Sequence, residues 1–285
     1  VKLVETIAEC RAALDPLRRA GRRIGFVPTM GYLHEGHLSL VDRARREGDD
    51  VVLSIFVNPL QFSPHEDYER YPRDRRRDLA LAENREVDLI FAPGLEEMLP
   101  ARPLTKVTIS QLTDRYEGAA RGPAHFDGVL TIVAKLFHIV EPGFAVFGQK
   151  DAQQAAAVRR MVRDLDFPVE IVVAPTVREP DGLACSSRNA YLSPDERREA
   201  LAISRALFLG VEFARAGERD AARIESVMRQ ELSRSPAIVV EYAAIVDPET
   251  FAPLERVSAA SLAVVAGRVA GTRLIDNAPL LSDGD

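Results

Sequence analysis

The chain is short of the residues that would place it outside the cell or on a nucleic acid. Only two of its 285 residues are cysteines, Cys10 and Cys185, and no CxxC spacing occurs. Neither a disulfide framework nor a cysteine zinc site can be built from that pair, and a reducing cytoplasm suits it. No apolar run nears the roughly 20 residues of a membrane span, so no membrane partner is expected. The opening "VKLVETIAECRAALDPL" reads as a capped amphipathic helix rather than a signal peptide. An unprocessed chain is expected, apart from an initiator methionine. Positive charge is not in excess either: 37 Lys plus Arg stand against 43 Asp plus Glu, a formal net charge of −6. With no global basic field to hold a phosphate backbone, no nucleic-acid partner is expected. Lysine itself is scarce. There are four, Lys2, Lys106, Lys135 and Lys150, so a lysine is informative where a compact ammonium differs chemically from a guanidinium.

What is present is a globular pattern, 46% hydrophobic and 28% charged, long enough for one large domain or two unequal ones. Up to about residue 176, short and nearly all-apolar runs such as "RRIGFVPT", "DVVLSIFVN", "VDLIFAP", "GFAVFG" and "VEIVVAP" alternate with helical stretches. Strands of that kind are buried on both faces, which predicts an α/β, doubly wound parallel-sheet domain over residues 1–176. Its ligands would bind beyond the carboxyl ends of the strands. From about residue 177 two long helical patterns precede apolar runs broken by Gly, Pro and Asp turns, predicting a smaller α+β domain over 177–285. No repeat or low-complexity segment interrupts either part.

Two of the five histidines fall in "VPTMGYLHEGHLSLV", at the first strand-to-helix junction. Gly31 gives the turn backbone freedom, Gly36 allows close approach, and free N–H groups at the helix start attract anions. His34 and His37, at i and i+3, share one face of that first turn. Together they suggest a phosphate site with two switchable donors. Zinc is the weaker reading, because His65, His125 and His138 lie in unrelated contexts and no HExxH supplies a third ligand.

Other groups fall at the same end of predicted strands. "SIFVNPLQF" leaves Asn58 and Gln61, whose amides both donate and accept, after the second long apolar run. Each is alternatively a turn or cap residue. "FGQKDAQQ" puts Gly148 at a turn and Lys150 just before a helix, an ammonium well placed for a phosphate oxygen, with Asp151 the natural helix cap. One of Gln153 and Gln154 can face the crevice. "GLACSSRNAYLS" carries Ser186, Ser187 and Arg188 on a loop that could close over a triphosphate or serve as a linker, and Cys185 beside them reads as a packed small residue. "DYERYPRDRRRDL", with Tyr71, Arg73 and Asp78, reads mostly as a solvated helix face. "EGAARGPAHFDGV", with Glu117, Arg121 and His125, is a substrate loop or a long connection.

Taken in series, "PTMGYLHEGH", "SIFVNPLQF", "DYERYPR", "FGQKDAQQ", "PTVRE" and "DGLACSSRNAYL" resemble the pantoate:beta-alanine ligase family of the HIGH-type nucleotidyltransferase superfamily, from about residue 22 to 193. The resemblance implies a Rossmann-like catalytic domain with the second domain as a lid over its site. It implies ATP-dependent joining of pantoate to beta-alanine through a pantoyl adenylate, giving pantothenate, AMP and diphosphate for coenzyme A synthesis. Carried over by matching position, it assigns ATP to Met30, Gly31, Tyr32, Leu33, His34, Glu35, Gly36 and His37. ATP is further assigned to Gly148, Gln149, Lys150 and Asp151, and to Val177, Cys185, Ser186, Ser187 and Arg188. His37 is implied as proton donor, and His34, Lys150, Ser186, Ser187 and Arg188 as stabilisers of phosphate charge. Gln61 and Gln154 are implied to hold pantoate or beta-alanine, and Asn58 is placed with them from its position. Mg2+ is implied as ATP's companion, held chiefly by the phosphates, and a cytoplasmic homodimer is implied as the assembly. The chain departs from the family pattern at Gln149, where Glu is usual, at Cys185, where Met or Leu is usual, and in "RGPAHF", which is one residue longer than RPxHF.

A nucleotidyltransferase that stops at adenylation, or one that modifies a phosphorylated alcohol, would share the histidine pair. The acid-holding glutamines favour the ligase over it. A non-catalytic nucleotide-binding module would need no histidine pair with lysine and Ser-Ser-Arg, and an RNA-binding role fits the net charge worst.

Overall fold

A three-residue strand precedes the helix predicted at the start of the chain. β1 (Lys2–Val4) lies parallel to β4 (Leu89–Phe91), with Lys2 opposite Leu89 and Val4 opposite Phe91. Three residues carry too little periodicity to be recognised alone; the backbone partners supplied by β4 make the strand. The helix itself, α1 (Ile7–Arg19), begins at a capping box in which Thr6 and Glu9 satisfy each other's backbone amides.

The computed structural model describes residues 1–63 and 68–281. The chain divides into two compact units, Val1–Gly148 with Ala157–Pro175, and Gln149–Ala156 with Thr176–Asp285. In the first, the remaining elements are β2 (Ile24–Thr29), α2 (Glu35–Glu47), β3 (Asp50–Ile55), α3 (Arg75–Asn84), α4 (Leu95–Met98), α5 (Glu117–Arg121), α6 (Pro123–Val140), β5 (Phe144–Gly148) and β6 (Glu170–Ala174). The sheet runs β1-β4-β3-β2-β5-β6 and every pairing in it is parallel. Parallel strands need crossovers, and the helices supply them.

Alternation along β2 shows how both faces are covered. Val27 joins Leu40, Val41 and Ala44 of α2 and Val51, Leu53 and Val146 of the neighbouring strands in one buried cluster. Phe26, pointing the other way, meets the Phe137 ring of α6 edge-on at 6.4 Å. The chain moves outward from β2 through β3 to β4, then returns to place β5 on the other side of β2. That reversal between β2 and β5 is a topological switch point, and open α/β sheets bind ligands beyond the carboxyl ends of the strands at such points.

α7 (Ala152–Asp164) follows β5 and begins within the segment grouped with the second unit. That unit also holds α8 (Pro194–Arg215), α9 (Ala221–Ser233) and an antiparallel sheet of β7 (Ile238–Val246), β8 (Leu262–Val269) and β9 (Thr272–Pro279) in that order. α8 opens on a Ser193/Glu196 capping box with Pro194 in its first turn. Ile203 and Leu207 of α8, Ile224 and Met228 of α9, and Ile245 and Val265 of the sheet form one buried core. The α/β unit with a parallel sheet and the smaller α+β unit are those expected from the sequence.

Candidate functional site

β2 ends at buried Thr29, whose hydroxyl donates to the Ser54 carbonyl at 2.7 Å and accepts from the Gly31 amide at 3.2 Å. The chain then turns sharply. Gly31 has φ +83°, and a Cβ there would stand 2.9 Å from Ile55 and 3.0 Å from an Asp78 oxygen. Tyr32 continues the turn at φ 50°. Met30 and Tyr32 are half-buried, whereas the Leu33 side chain is fully buried in the core and acts as the anchor of the turn.

Asp78 holds this turn. It sits on α3 but is buried, and its two oxygens accept the amides of Tyr32 at 2.8 Å and Leu33 at 2.7 Å. Burial pushes its carboxyl above the ordinary aspartate range, and the two amides pull against that. The sequence placed Asp78 on a solvated face; the structure corrects this, because "DRRRDL" turns one carboxylate inward. The Tyr32 and Leu33 amides, which precede the helix start, are thereby spent on Asp78.

His34 then takes the helix N-cap position in extended conformation, but its side chain does not cap α2. Its ring instead stacks on that of His37, with centroids 4.0 Å apart and planes 28° apart. Both imidazoles thus occupy the same side of a helix start, where the macrodipole favours an anion. Glu35 is exposed and pairs with Arg85 at 3.0 Å, and the Gly36 carbonyl accepts from the Ser39 hydroxyl at 2.8 Å.

Asn58 and Gln61 come together at a short helical turn, Pro59–Gln61, beyond β3. Asn58 is buried and its amide is fully engaged: Oδ1 accepts from the Leu60 amide at 3.0 Å, and Nδ2 donates to Gln61 Oε1 at 3.0 Å and to the Gly128 carbonyl at 3.1 Å. α6 approaches this turn so closely that a Cβ on Gly128 would lie 2.3 Å from the Leu60 oxygen. His125, buried on α6, bonds through Nδ1 to the Gln61 carbonyl at 2.8 Å and through Nε2 to Arg121 at 3.2 Å. A carbonyl only accepts and a guanidinium only donates, so the neighbours fix the neutral tautomer with the proton on Nδ1. The stretch "EGAARGPAHFDGV", left open between a substrate loop and a long connection, is helical over Glu117–Arg121 and again from Pro123. Arg73 braces its own stretch by donating to the carbonyls of Tyr71 and Tyr68, both at 3.0 Å. His65 lies outside the described residues.

In the second unit, Gln149–Asp151 form a single helical turn directly after Gly148. Lys150 pairs with Asp151 at 3.7 Å. Buried Asn277 of β9 donates to the Gln149 and Lys150 carbonyls, both at 2.9 Å, and accepts from Gln149 Nε2 at 3.0 Å. Gln153 is buried and Gln154 half-buried.

The segment from Val177 to Tyr191 is tied down rather than loose. The Cys185 amide donates to the Val177 carbonyl at 2.9 Å, and Arg178 and Ala184 form a β-bridge. Ser186 accepts from the Arg188 amide at 3.3 Å, capping the turn Ser187–Tyr191. Asn189 donates to Glu179 at 2.7 Å and to the Ala184 carbonyl at 3.0 Å. These bonds order the segment from within. Cys185 is buried, as expected of a packed small residue. Arg178 makes two bonds, 2.6 and 3.0 Å, to buried Asp276, next to Asn277. Burial pushes the Asp276 carboxyl up while Arg178 pulls it down.

Sequence reasoning missed Asp78, the clamp made by His125, and Asn277. For Asp78 and Asn277 no local signal exists: one sits in a charge run, the other in a strand. For His125, a lone histidine between Ala124 and Phe126 was a weak signal. Among the described residues no group of three or more His, Cys, Asp or Glu is placed to hold a metal, and no helix is long and apolar enough to cross a membrane.

The model of the pantoate-beta-alanine ligase family matches residues 2–279. A pantothenate synthetase of Moorella thermoacetica is 53% identical over 280 residues, covering 98% of this chain and 99% of the relative. One from Acidobacterium capsulatum is 54% identical over 288 residues, 97% of this chain and 96% of the relative. The crystal structure of pantothenate synthetase from Thermus thermophilus superposes with a TM-score of 0.94 at 53% identity, over 99% of this chain and 100% of that one. The ligase from Francisella tularensis, crystallised with beta-gamma ATP and beta-alanine, superposes at 0.80 with 30% identity over 98% of both chains.

Proposed function

We propose, from the premise that the chain belongs to the pantoate-beta-alanine ligase family, that it joins pantoate to beta-alanine with ATP and releases pantothenate, AMP and diphosphate. A pantoate carboxylate oxygen attacks the α-phosphorus of ATP, and the bond from that phosphorus to the bridging oxygen breaks as diphosphate leaves. The unprotonated amine of beta-alanine then attacks the acyl carbon of the adenylate. The acyl C–O bond breaks, AMP departs with the bonding electrons, and the amine nitrogen gives up a proton. Adenylation is what makes a poor acylating agent reactive.

The stacked His34 and His37 carry this reading. Two imidazoles on one side of a helix start can share the charge that develops on the phosphates. His37 is the proton donor in it, and Lys150, Ser186, Ser187 and Arg188 neutralise the departing diphosphate. Backbone groups of Met30 to His37, Gly148 to Asp151, Val177 and Cys185 line the nucleotide. Leu33 contributes as the buried anchor of its turn, and Glu35, paired with Arg85, from the outer side. Gln61 and Gln154 hold the acid, and Asn58 acts by fixing the Gln61 amide.

Magnesium enters as part of the MgATP substrate, carried on the phosphates. A homodimer and a cytoplasmic location belong to the same proposal, supported by family membership and by two buried, unbridged cysteines. So does a lid role for the second unit, which nucleotide-dependent compaction in small-angle scattering would test.

The deciding assay is incubation with MgATP, pantoate and beta-alanine while AMP and pantothenate are followed together. Equal release of both is expected. AMP without pantothenate would replace the ligase by an enzyme that stops at the adenylate.

A further inference from the structure

We infer that Asn277 is a positioning residue for Lys150: its side-chain amide sets the backbone from which the lysine reaches the phosphates. The inference rests on the proposed role of Lys150 and adds a residue to it from a strand 127 positions further along the chain.

Three hydrogen bonds converge on one small side chain. Nδ2 of Asn277 gives one proton to the Gln149 carbonyl and the other to the Lys150 carbonyl, both at 2.9 Å, while Oδ1 receives the Gln149 side-chain amide at 3.0 Å. Every N–H of the carboxamide is spent on this one turn. Asn277 is itself buried, so water cannot replace those bonds when the side chain is removed.

A single helical turn of three residues, Gln149–Asp151, has no repeating ladder to hold it. Fixing two successive carbonyls from outside orients the peptide planes on both sides of the Lys150 Cα, and with them the direction in which its long, flexible side chain leaves the backbone. An ammonium with four rotatable bonds gains most from such anchoring.

The anchor is itself held. Asn277 pairs with Val264 in the β8/β9 ladder, and its own amide donates to Asp276 Oδ1 at 2.8 Å. Asp276 is gripped by the two bonds from Arg178, which follows Val177 in the chain. Adjacent residues of one edge strand thus secure both nucleotide segments assigned to this unit, Asn277 the first and Asp276 the second.

The test is a double-mutant cycle of Asn277→Ala and Lys150→Ala, with Asn277→Ser as a milder variant that keeps one donor. Melting temperature, kcat and the KM values for ATP and beta-alanine are measured for each. Asn277→Ala is expected to lower kcat/KM for ATP by roughly tenfold and leave the beta-alanine KM within about twofold, with Asn277→Ser between it and the unaltered protein. In the Lys150→Ala background the same substitution is expected to cost less than about twofold, because the group it positions is gone. Full additivity, with Lys150→Ala impaired, would overturn the positioning role alone. Wild-type kinetics for Lys150→Ala would instead remove the phosphate role of Lys150, and this inference with it. If neither Asn277 variant folds, the residue serves the fold and the inference is likewise overturned.

Discussion

The rings of His34 and His37 lie face to face, 4.0 Å between centroids, at the first turn of α2. In the proposed reaction, two imidazoles held in that relationship would serve one group of oxygens. Loss of either should therefore injure adenylation and spare the fold, because the His34 side chain makes no capping hydrogen bond to the helix. Replacing His37 by alanine is expected to slow pantoate-dependent diphosphate release by roughly 10²–10³-fold, with an unchanged melting temperature. Retained turnover would displace the pair from the chemistry.

Asp78 offers a prediction about stability and pH together. Asp78→Ala leaves the Tyr32 and Leu33 amides without their acceptors, at a cost of about 1–3 kcal/mol for each buried group left unsatisfied. Activity should fall too, since the histidine turn loses its brace. The pH dependence has a definite sign. Burial raises this carboxyl above the ordinary value of 3.8, so the folded state binds the proton more tightly than the unfolded chain. The stability that comes from this is fully present below about pH 3.8 and is lost as pH rises through the folded value. The melting-temperature advantage of the native protein over Asp78→Ala should accordingly shrink from acid to neutral pH.

Removing the His125 imidazole takes away the donor to the Gln61 carbonyl at 2.8 Å. His125→Ala is expected to raise the KM for pantoate several-fold while the KM for ATP changes little. Steady-state kinetics with each substrate varied in turn would check this, and equal changes in both would mean that the clamp serves the fold at large.

Gly128→Ala tests the same turn from the packing side. The added methyl would have to stand 2.3 Å from the Leu60 oxygen and 2.7 Å from the Gln61 nitrogen. Backbone must yield, and a loss of about 1–3 kcal/mol in denaturant unfolding is expected.

Cys10 should be chemically silent. Its thiol is fully buried, and burial pushes its pKa up to about 11, so thiolate is a minor species at neutral pH. An aromatic disulfide reagent should leave it unmodified in the native protein and react once the chain is unfolded.

Much of this molecule was legible as a string of residues. The alternation of apolar runs with helical stretches predicts the parallel sheet because strands buried on both faces are nearly all apolar; β5 is so throughout, and β2 and β3 keep their polar residues Thr29, Asp50 and Ser54 at or near their ends. β1 escaped because pairing with β4 makes it, and three residues hold no period. The histidine pair and the Lys150 turn were visible because unusual residue types stand at strand ends. The groups that hold them were not. Asp78 is one of several charges in "PRDRRRDL", and only the packing of α3 decides that this one turns inward while Arg75, Arg76 and Arg77 stay outside.

The sequence by itself determined the two-unit α/β and α+β organisation, the family, and the side chains suited to phosphate and acid groups, because those follow from local periodicity and from chemistry carried by single residues. Only the tertiary structure decided which groups hold them in place. Asp78 reaches the amides of Tyr32 and Leu33 across 45 or more positions, His125 reaches Gln61 across 64, and Asn277 reaches the Lys150 turn across 127. A hydrogen bond acts over about 3 Å of space. Separation along the chain says nothing about it until the fold has closed the distance.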